Sequence, residues 1–238
     1  MGEPKESGNL IPRPGELMLL GIDTCGPSGS VAIGRLVGDD LQVLGQTELA
    51  GRTYSATLVS AVAELLSANG LALKDLGGIV AVSGPGSFTG VRVGLSAVKG
   101  LAEGAQLPVA AISRLLVLSR KAGVPSCALD AHRDEVFLRV EETGHPAREM
   151  LAGARELLAI PAPVQVAVCD DSAVALLAHA WPSTMVVRCE APMASDALRY
   201  GAARLSEGLY EDLVLLDGNY LRRSDAEIFG EAAGQKRL

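Results

Sequence analysis

Residues 79–104, IVAVSGPGSFTGVRVGLSAVKGLAEG, decide how the rest of the chain is read. The β-branched run at 79–83 predicts a buried strand, the glycine-rich stretch 84–90 a turn, and the apolar-periodic segment 91–104 a helix. Strand, glycine loop and helix together suit an anion. Glycines let backbone N–H groups approach closely, and a helix start offers unpaired donors and the positive end of its dipole. Gly84, Gly86, Ser87, Thr89 and Gly90 are therefore candidate nucleotide- or anion-binding residues. The spacing is GxGxxxG, however, not GxGxxG, and no Gly-Lys-Ser/Thr follows. A plain tight turn is the simpler reading of the same glycines.

Outward from this stretch, residues 17–22 predict a buried strand ending at Asp23, and a polar turn leads to a strand at 30–36. Gly38-Asp39-Asp40 turns into a strand at 41–48. A helix over 53–69, stopped by Asn69-Gly70, precedes the strand at 79–83, so the first half reads βββαβα. In the second half, strands are expected at 109–112, 127–129, 135–140, 164–169 and 185–188. Helices are expected at 114–122, 152–159, 171–180 and 195–207. A strand ending in aspartate, a tight turn and a returning strand occur twice, at Asp23 and Asp130. No short period repeats, which excludes a solenoid. Two such halves facing a cleft describe an α/β fold of the actin-like ATPase, ribonuclease-H-like kind. The lobes would cover 17–110 and 111–228, with a hinge near 105–125. Residues 1–16 hold three prolines, three glycines and three glutamates and no apolar core, so they predict a disordered leader and not an export signal. Residues 229–238 are expected to form a flexible tail.

Composition narrows the function classes. A chain of 238 residues, 48% hydrophobic and 21% charged, suits one large or two modest globular domains. No apolar run reaches the length of a membrane span. A net charge of −7 without a lysine or arginine block excludes a protein that grips nucleic acid alone. Cys25, Cys127, Cys169 and Cys189 lie far apart without a C-x-x-C pair and read as buried free thiols, which points to the cytoplasm. His132, His145 and His179 are spaced 13 and 34 positions apart and form no chelating pair. Without an H-E-x-x-H helix or a Ser/His/Asp set, a metal-dependent peptidase is disfavoured and no metal site is expected.

Three features carry the remaining candidates. In kinases of the actin-like fold, aspartates placed like Asp23 and Asp130 face the phosphates and hold magnesium; an aspartate also caps its own turn. Pro27 removes one amide donor from the first turn. An ATP-dependent small-molecule kinase is thus the rival reading. The helix over 53–69 sets Leu58, Val62, Leu65 and Leu66 beside small hydroxyl residues, with Glu64 its only charge before the C-cap. It reads either as buried within one lobe or as an interface helix. Helix 91–104 carries Arg92, Lys99 and Glu103 on one side and Leu95 toward the other. Together the two helices would make a docking surface with an apolar centre and a polar border.

Three separated stretches, in order, resemble the TsaB (YeaZ) family. They are GPGSFTGVRVGL at 84–95, LDAHRDEVF at 129–137 and NYLRRSDAE at 219–227, and the likeness spans about residues 17–227. The resemblance implies a non-catalytic subunit in tRNA threonylcarbamoyladenosine synthesis. It would pair with a TsaD-type catalytic subunit that transfers threonylcarbamoyl from its adenylate to the adenosine beside the anticodon. It further implies a TsaE-type ATPase as third member, a homodimer when the chain is alone, and pairing through the N-terminal helices. tRNA would be met only through the complex. No cofactor is expected to be tightly bound; any ATP or ADP with magnesium would bind weakly or at a shared interface, using Gly84–Gly90. The paralogous TsaD family binds its metal through two histidines four apart on the helix after the first hairpin. The corresponding helix here, beginning Arg52-Thr53-Tyr54-Ser55, has none, so no catalytic residue is expected. Tyr220-Leu221-Arg222-Arg223 reads equally as a solvated strand end or as a segment that packs back across the lobes or reaches a partner.

Overall fold

A computed structural model describes residues 15–51, 53–142 and 144–222. The first fourteen residues of the expected leader, the tail at 229–238 and Arg223 lie outside them.

The first half forms β1 (Glu16–Asp23), β2 (Gly29–Val37), β3 (Asp40–Leu49), α1 (Tyr54–Ala68), β4 (Gly78–Val82), α2 (Phe88–Ala105) and β5 (Val109–Ile112). Its sheet has the order β3-β2-β1-β4-β5. Glu16 belongs to β1 and not to the expected leader. β1 pairs antiparallel with β2 over its whole length and parallel with β4. Helix α3 (Arg114–Ala122) then leads to β6 (Cys127–Asp130), β7 (Glu135–Val140), β8 (Arg148–Gly153), α4 (Ala154–Ala159), β9 (Gln165–Val168), α5 (Asp171–Ala180), β10 (Met185–Arg188) and α6 (Ala194–Ser206). The second sheet runs β8-β7-β6-β9-β10, which is the strand order of the first sheet repeated. The faint repeat at Asp23 and Asp130 is thus a duplicated βββαβαβ unit, as the two-lobed actin-like reading expects.

One strand escapes the sequence. Arg148–Gly153, REMLAG, is rich in helix formers and has no β-branched residue, so propensity argues against a strand. It is held in register with β7 instead, Val140 opposite Arg148 and Glu135 opposite Gly153. A cross-strand pair, Arg139 to Glu149 at 3.3 Å, reinforces it.

The packing of α6 differs from the division at residue 110. Ala194, Ala197, Leu198, Ala202 and Leu205 enter the core of the first sheet, opposite α1 and α2. A Cβ at Gly201 would meet Val80 Cγ1 at 2.4 Å, so only glycine lets the helix seat this closely. Ser30 Oγ accepts the α6 backbone N–H of Ala194 at 2.8 Å and so caps the helix from the other end of the chain. Conversely, α3 follows the first sheet but packs on the second, with Leu115 and Leu118 against Cys127, Leu129 and Ala167. Each half therefore covers one face of the other's sheet. This explains why β1 and β4 are apolar almost without alternation: helices cover both faces, and β4 is buried at every residue. Leu19, Leu20 and Ile79 are fully enclosed, and each contributes about 1.5–3 kcal/mol by leaving water.

A sealed cleft and a candidate docking face

The glycine loop does not open into the cleft; it lies on the turn after β1. Ser87 N–H donates to the Cys25 carbonyl at 2.8 Å, and Thr24 Oγ1 donates to the Gly90 carbonyl at 2.7 Å. A Cβ at Gly86 would come 2.1 Å from the Cys25 carbonyl oxygen, and one at Gly90 would come 2.1 Å from that of Thr24. Gly84 accepts the Arg114 N–H at 2.6 Å. At the start of α2, Ser87 Oγ accepts the Gly90 N–H at 3.3 Å, so the helix caps itself. Thr89 is exposed and outside this packing. These glycines serve close approach of two backbones. Gly90→Ala is expected to cost about 1–3 kcal/mol, the range for overpacking, read as a lowered thermal midpoint. Gly100→Ala in the same helix, where a Cβ meets nothing within 4 Å, is the control expected to leave stability unchanged or raised.

Asp23 is 1% exposed, and its carboxylate is already engaged. Cys25 N–H donates to it at 2.8 Å and the Arg114 Nε–H at 3.2 Å. Arg114, 5% exposed, extends from the first turn of α3 to a point 2.4 Å from where a Gly26 Cβ would stand. Burial is the largest single influence and works against the guanidinium's charge, but the Asp23 carboxylate and its hydrogen bond, together with Cys25 and Cys169, outweigh it and leave the Arg114 pKa above its ordinary value. Burial, and then Asp23, push the Cys25 thiol well up, so it stays protonated. Asp130 occupies the equivalent place in the second half. It accepts the backbone N–H of His132 at 2.8 Å and faces His132 Nδ1 at 2.9 Å, while its own N–H is held by Asp170. Asp130 thus caps its own turn, and the Asp23 position carries a fixed cation. That arrangement does not fit a magnesium–nucleotide, because the metal would confront the guanidinium in a buried setting. Among the described residues no three of His, Cys, Asp and Glu converge to hold a metal ion.

Arg114 was not singled out by the sequence reading. Its signal lay in position: a cation in the first turn of a helix opposes the dipole, so it needs a specific anion. Glu149, on the unforeseen β8, was missed too. It accepts from Ser113 Oγ at 2.7 Å and from Asn219 Nδ2 at 2.8 Å, and pairs with Arg139, tying the hinge and the C-terminal segment to the second sheet.

That C-terminal segment crosses both lobes. Asn219 N–H donates to the Ser83 carbonyl at 2.7 Å, and Tyr220 packs on Phe88 with ring centroids 5.3 Å apart. The Arg92 guanidinium lies 3.8 Å over the Phe88 ring. Leu221 joins the core beneath α3, and Arg222 pairs with Glu135 on the second sheet.

The proposed interface residues need correction. Leu58, Val62, Leu65 and Leu66 are 1–8% exposed and pack α1 on the first sheet, and Leu95 of α2 is buried with them. They belong to the core of the lobe, and of them Leu58 also lines the groove described below. Arg92 and Glu103 are exposed and Lys99 is half-buried. The free surface is the opposite face of α1, where Ser55, Ala56, Val59, Ser60 and Ala63 stand exposed, Val59 at 57%. A shallow groove of about 320 Å³ runs between this face and α2, past Val59, Arg92 and Ser96.

Two duplicated lobes with crossed terminal helices define an actin-like, ribonuclease-H-like protein, in which Arg114 and the Cys25 N–H already engage the Asp23 carboxylate. Residues 46–228 match the family model for TsaD, tRNA N6-adenosine threonylcarbamoyltransferase. The tRNA threonylcarbamoyladenosine biosynthesis protein TsaB of Escherichia coli (strain K12) is 35% identical over 127 residues, covering 51% of this chain and 53% of that protein. Its Haemophilus influenzae counterpart is 37% identical over 127 residues, covering 51% and 52%. A Pseudomonas aeruginosa crystal structure, described as an uncharacterized protein with similarity to peptidase YEAZ, superposes with a TM-score of 0.70 at 25% identity. The match covers 87% of this chain and 100% of that one. The chain belongs to the TsaD family, as a member of its TsaB (YeaZ) group. It spans about half the length of the curated relatives it matches. No described helix is long and apolar enough to cross a membrane.

Proposed function

We propose that this chain acts in tRNA threonylcarbamoyladenosine synthesis as a non-catalytic subunit, docking a TsaD-type catalytic subunit on the outer face of α1 and α2. The observation that carries this reading is that outer face. It is lined by small residues and Val59, with Glu64 the only charge on α1, whereas a helix facing solvent normally carries a charged stripe. Small residues let a second helix approach closely, and Arg92 and Glu103 supply a polar border. The lack of a histidine pair on α1 and the Arg114–Asp23 pair in the cleft support a role without chemistry of its own. With the cleft closed by protein groups, we place ATP or ADP with magnesium at a surface shared with a partner. A TsaE-type ATPase completes the assembly, tRNA is met through the complex, and the same helical face pairs two copies when the chain is alone.

Mixing the chain with TsaD- and TsaE-type proteins, with and without ATP, tests this. Co-elution and restored threonylcarbamoylation of tRNA are expected, and the chain alone should not turn over ATP. ATP turnover by the isolated chain that disappears in Asp23→Ala would establish the kinase reading instead.

A further inference from the structure

We propose that Cys169 and Cys189 are a disulfide-competent thiol pair, which a hydroperoxide closes into a bond across the ends of β9 and β10. The inference goes beyond the docking role and does not depend on it. It rests first on register. Val187 lies opposite Ala167 and Arg188 opposite Val168. The ladder continues with the Cys189 N–H donating to the Val168 carbonyl at 3.0 Å. In a parallel pair that bond sets Cys189 directly beside Cys169.

The second support is the common face. Val166, Val168 and Val186 point to the core shared with α4 and α5, while Ala167, Cys169, Val187 and Cys189 point to the core beneath α3. Both thiols therefore leave the sheet on one side. Neighbouring strands stand about 4.8 Å apart, inside the roughly 4.4–6.8 Å between Cα atoms that a disulfide spans. Cys25 and Cys127 are buried, whereas Cys169 and Cys189 are half-buried, which leaves an oxidant some access.

The chemistry balances with the hydroperoxide as oxidant. One thiolate attacks the terminal peroxide oxygen; the O–O bond breaks, an alcohol (or water, from hydrogen peroxide) leaves, and a sulfenic acid forms. The second thiol displaces that oxygen as water, making the S–S bond, and two electrons have passed from sulfur to peroxide. Burial raises the Cys169 thiol to about 11, with Asp170 adding to the effect and Arg114 opposing it. Burial likewise raises Cys189, with Lys121 opposing and Asp196 and Glu190 adding. Both are thus mostly protonated thiols at neutral pH, and closure quickens in mildly alkaline buffer.

The test treats the reduced full chain with hydrogen peroxide in mildly alkaline buffer, blocks remaining thiols, and digests with trypsin. Cleavage after Arg188 places Cys169 in peptide 156–188 and Cys189 in peptide 189–199, so the bond appears as a cross-linked pair two hydrogens lighter than the sum. This cross-link is expected to dominate over every other cysteine pairing. It should fall to background in Cys169→Ser and in Cys189→Ser and persist in Cys25→Ser. Sulfinic acid at either residue without the cross-link would overturn the proposal. So would a cross-link that forms only after the chain is denatured.

Discussion

Arg114→Met is expected to lower folding stability by about 3–5 kcal/mol, the cost of leaving a buried charge without its partner. Asp23 is 1% exposed, so removing the guanidinium would leave a buried carboxylate without its cation. The effect should recede in the double variant Asp23→Asn/Arg114→Met. The asparagine carbonyl still accepts the Cys25 N–H, which Asp23 receives at 2.8 Å, and no ion then remains to be solvated. Urea unfolding of the three proteins decides the matter. A single variant within ~1 kcal/mol of the parent, the range of an exposed pair, would mean that the pair is effectively solvated and the cleft open to ligands.

Val59→Arg is expected to abolish capture of a TsaD-type subunit while leaving the fold intact, because Val59 is 57% exposed in the free chain. Buried unpaired in a contact, the charge would cost about 3 kcal/mol or more, roughly a hundredfold in Kd. Leu65→Arg is the contrasting variant. At 8% exposure Leu65 lies against the first sheet, so a charge there should unfold the lobe. Circular dichroism and size-exclusion co-elution separate the two outcomes. A folded Val59→Arg protein that still co-elutes with the catalytic subunit would move the docking face elsewhere.

The contrast between these two residues shows where sequence reading stopped. Composition marks α1 as a helix poor in charge, but a helix with one apolar stripe and one small-residue stripe leaves open which of them faces the core. The larger side chains settle it, since Leu58, Leu65 and Leu66 bury more area than serine and alanine can. The lobes, the repeated Asp turns and the glycine loop were legible because their signals are local: β-branched runs, Gly and Asp at turns, period 3.6 in helices. β8 was not, because a cross-strand ion pair and register hold it against its own propensity. The destination of α6 was not either, because a helix pattern names its buried face and not the sheet that receives it. Arg114 sits on an expected helix, yet its partner lies 91 positions away, at a range no local pattern reaches.

The exchange of α3 and α6 bears on how the chain is made. The first sheet is complete at residue 112, but the main cover of one of its faces is the helix at 194–206. On a ribosome, which adds about 5–20 residues per second, that apolar face waits several seconds for its cover. The amino-terminal half therefore cannot mature as a separate unit. A message truncated before residue 194 would release a sticky half-product, and holdase chaperones should be found on nascent chains of that length.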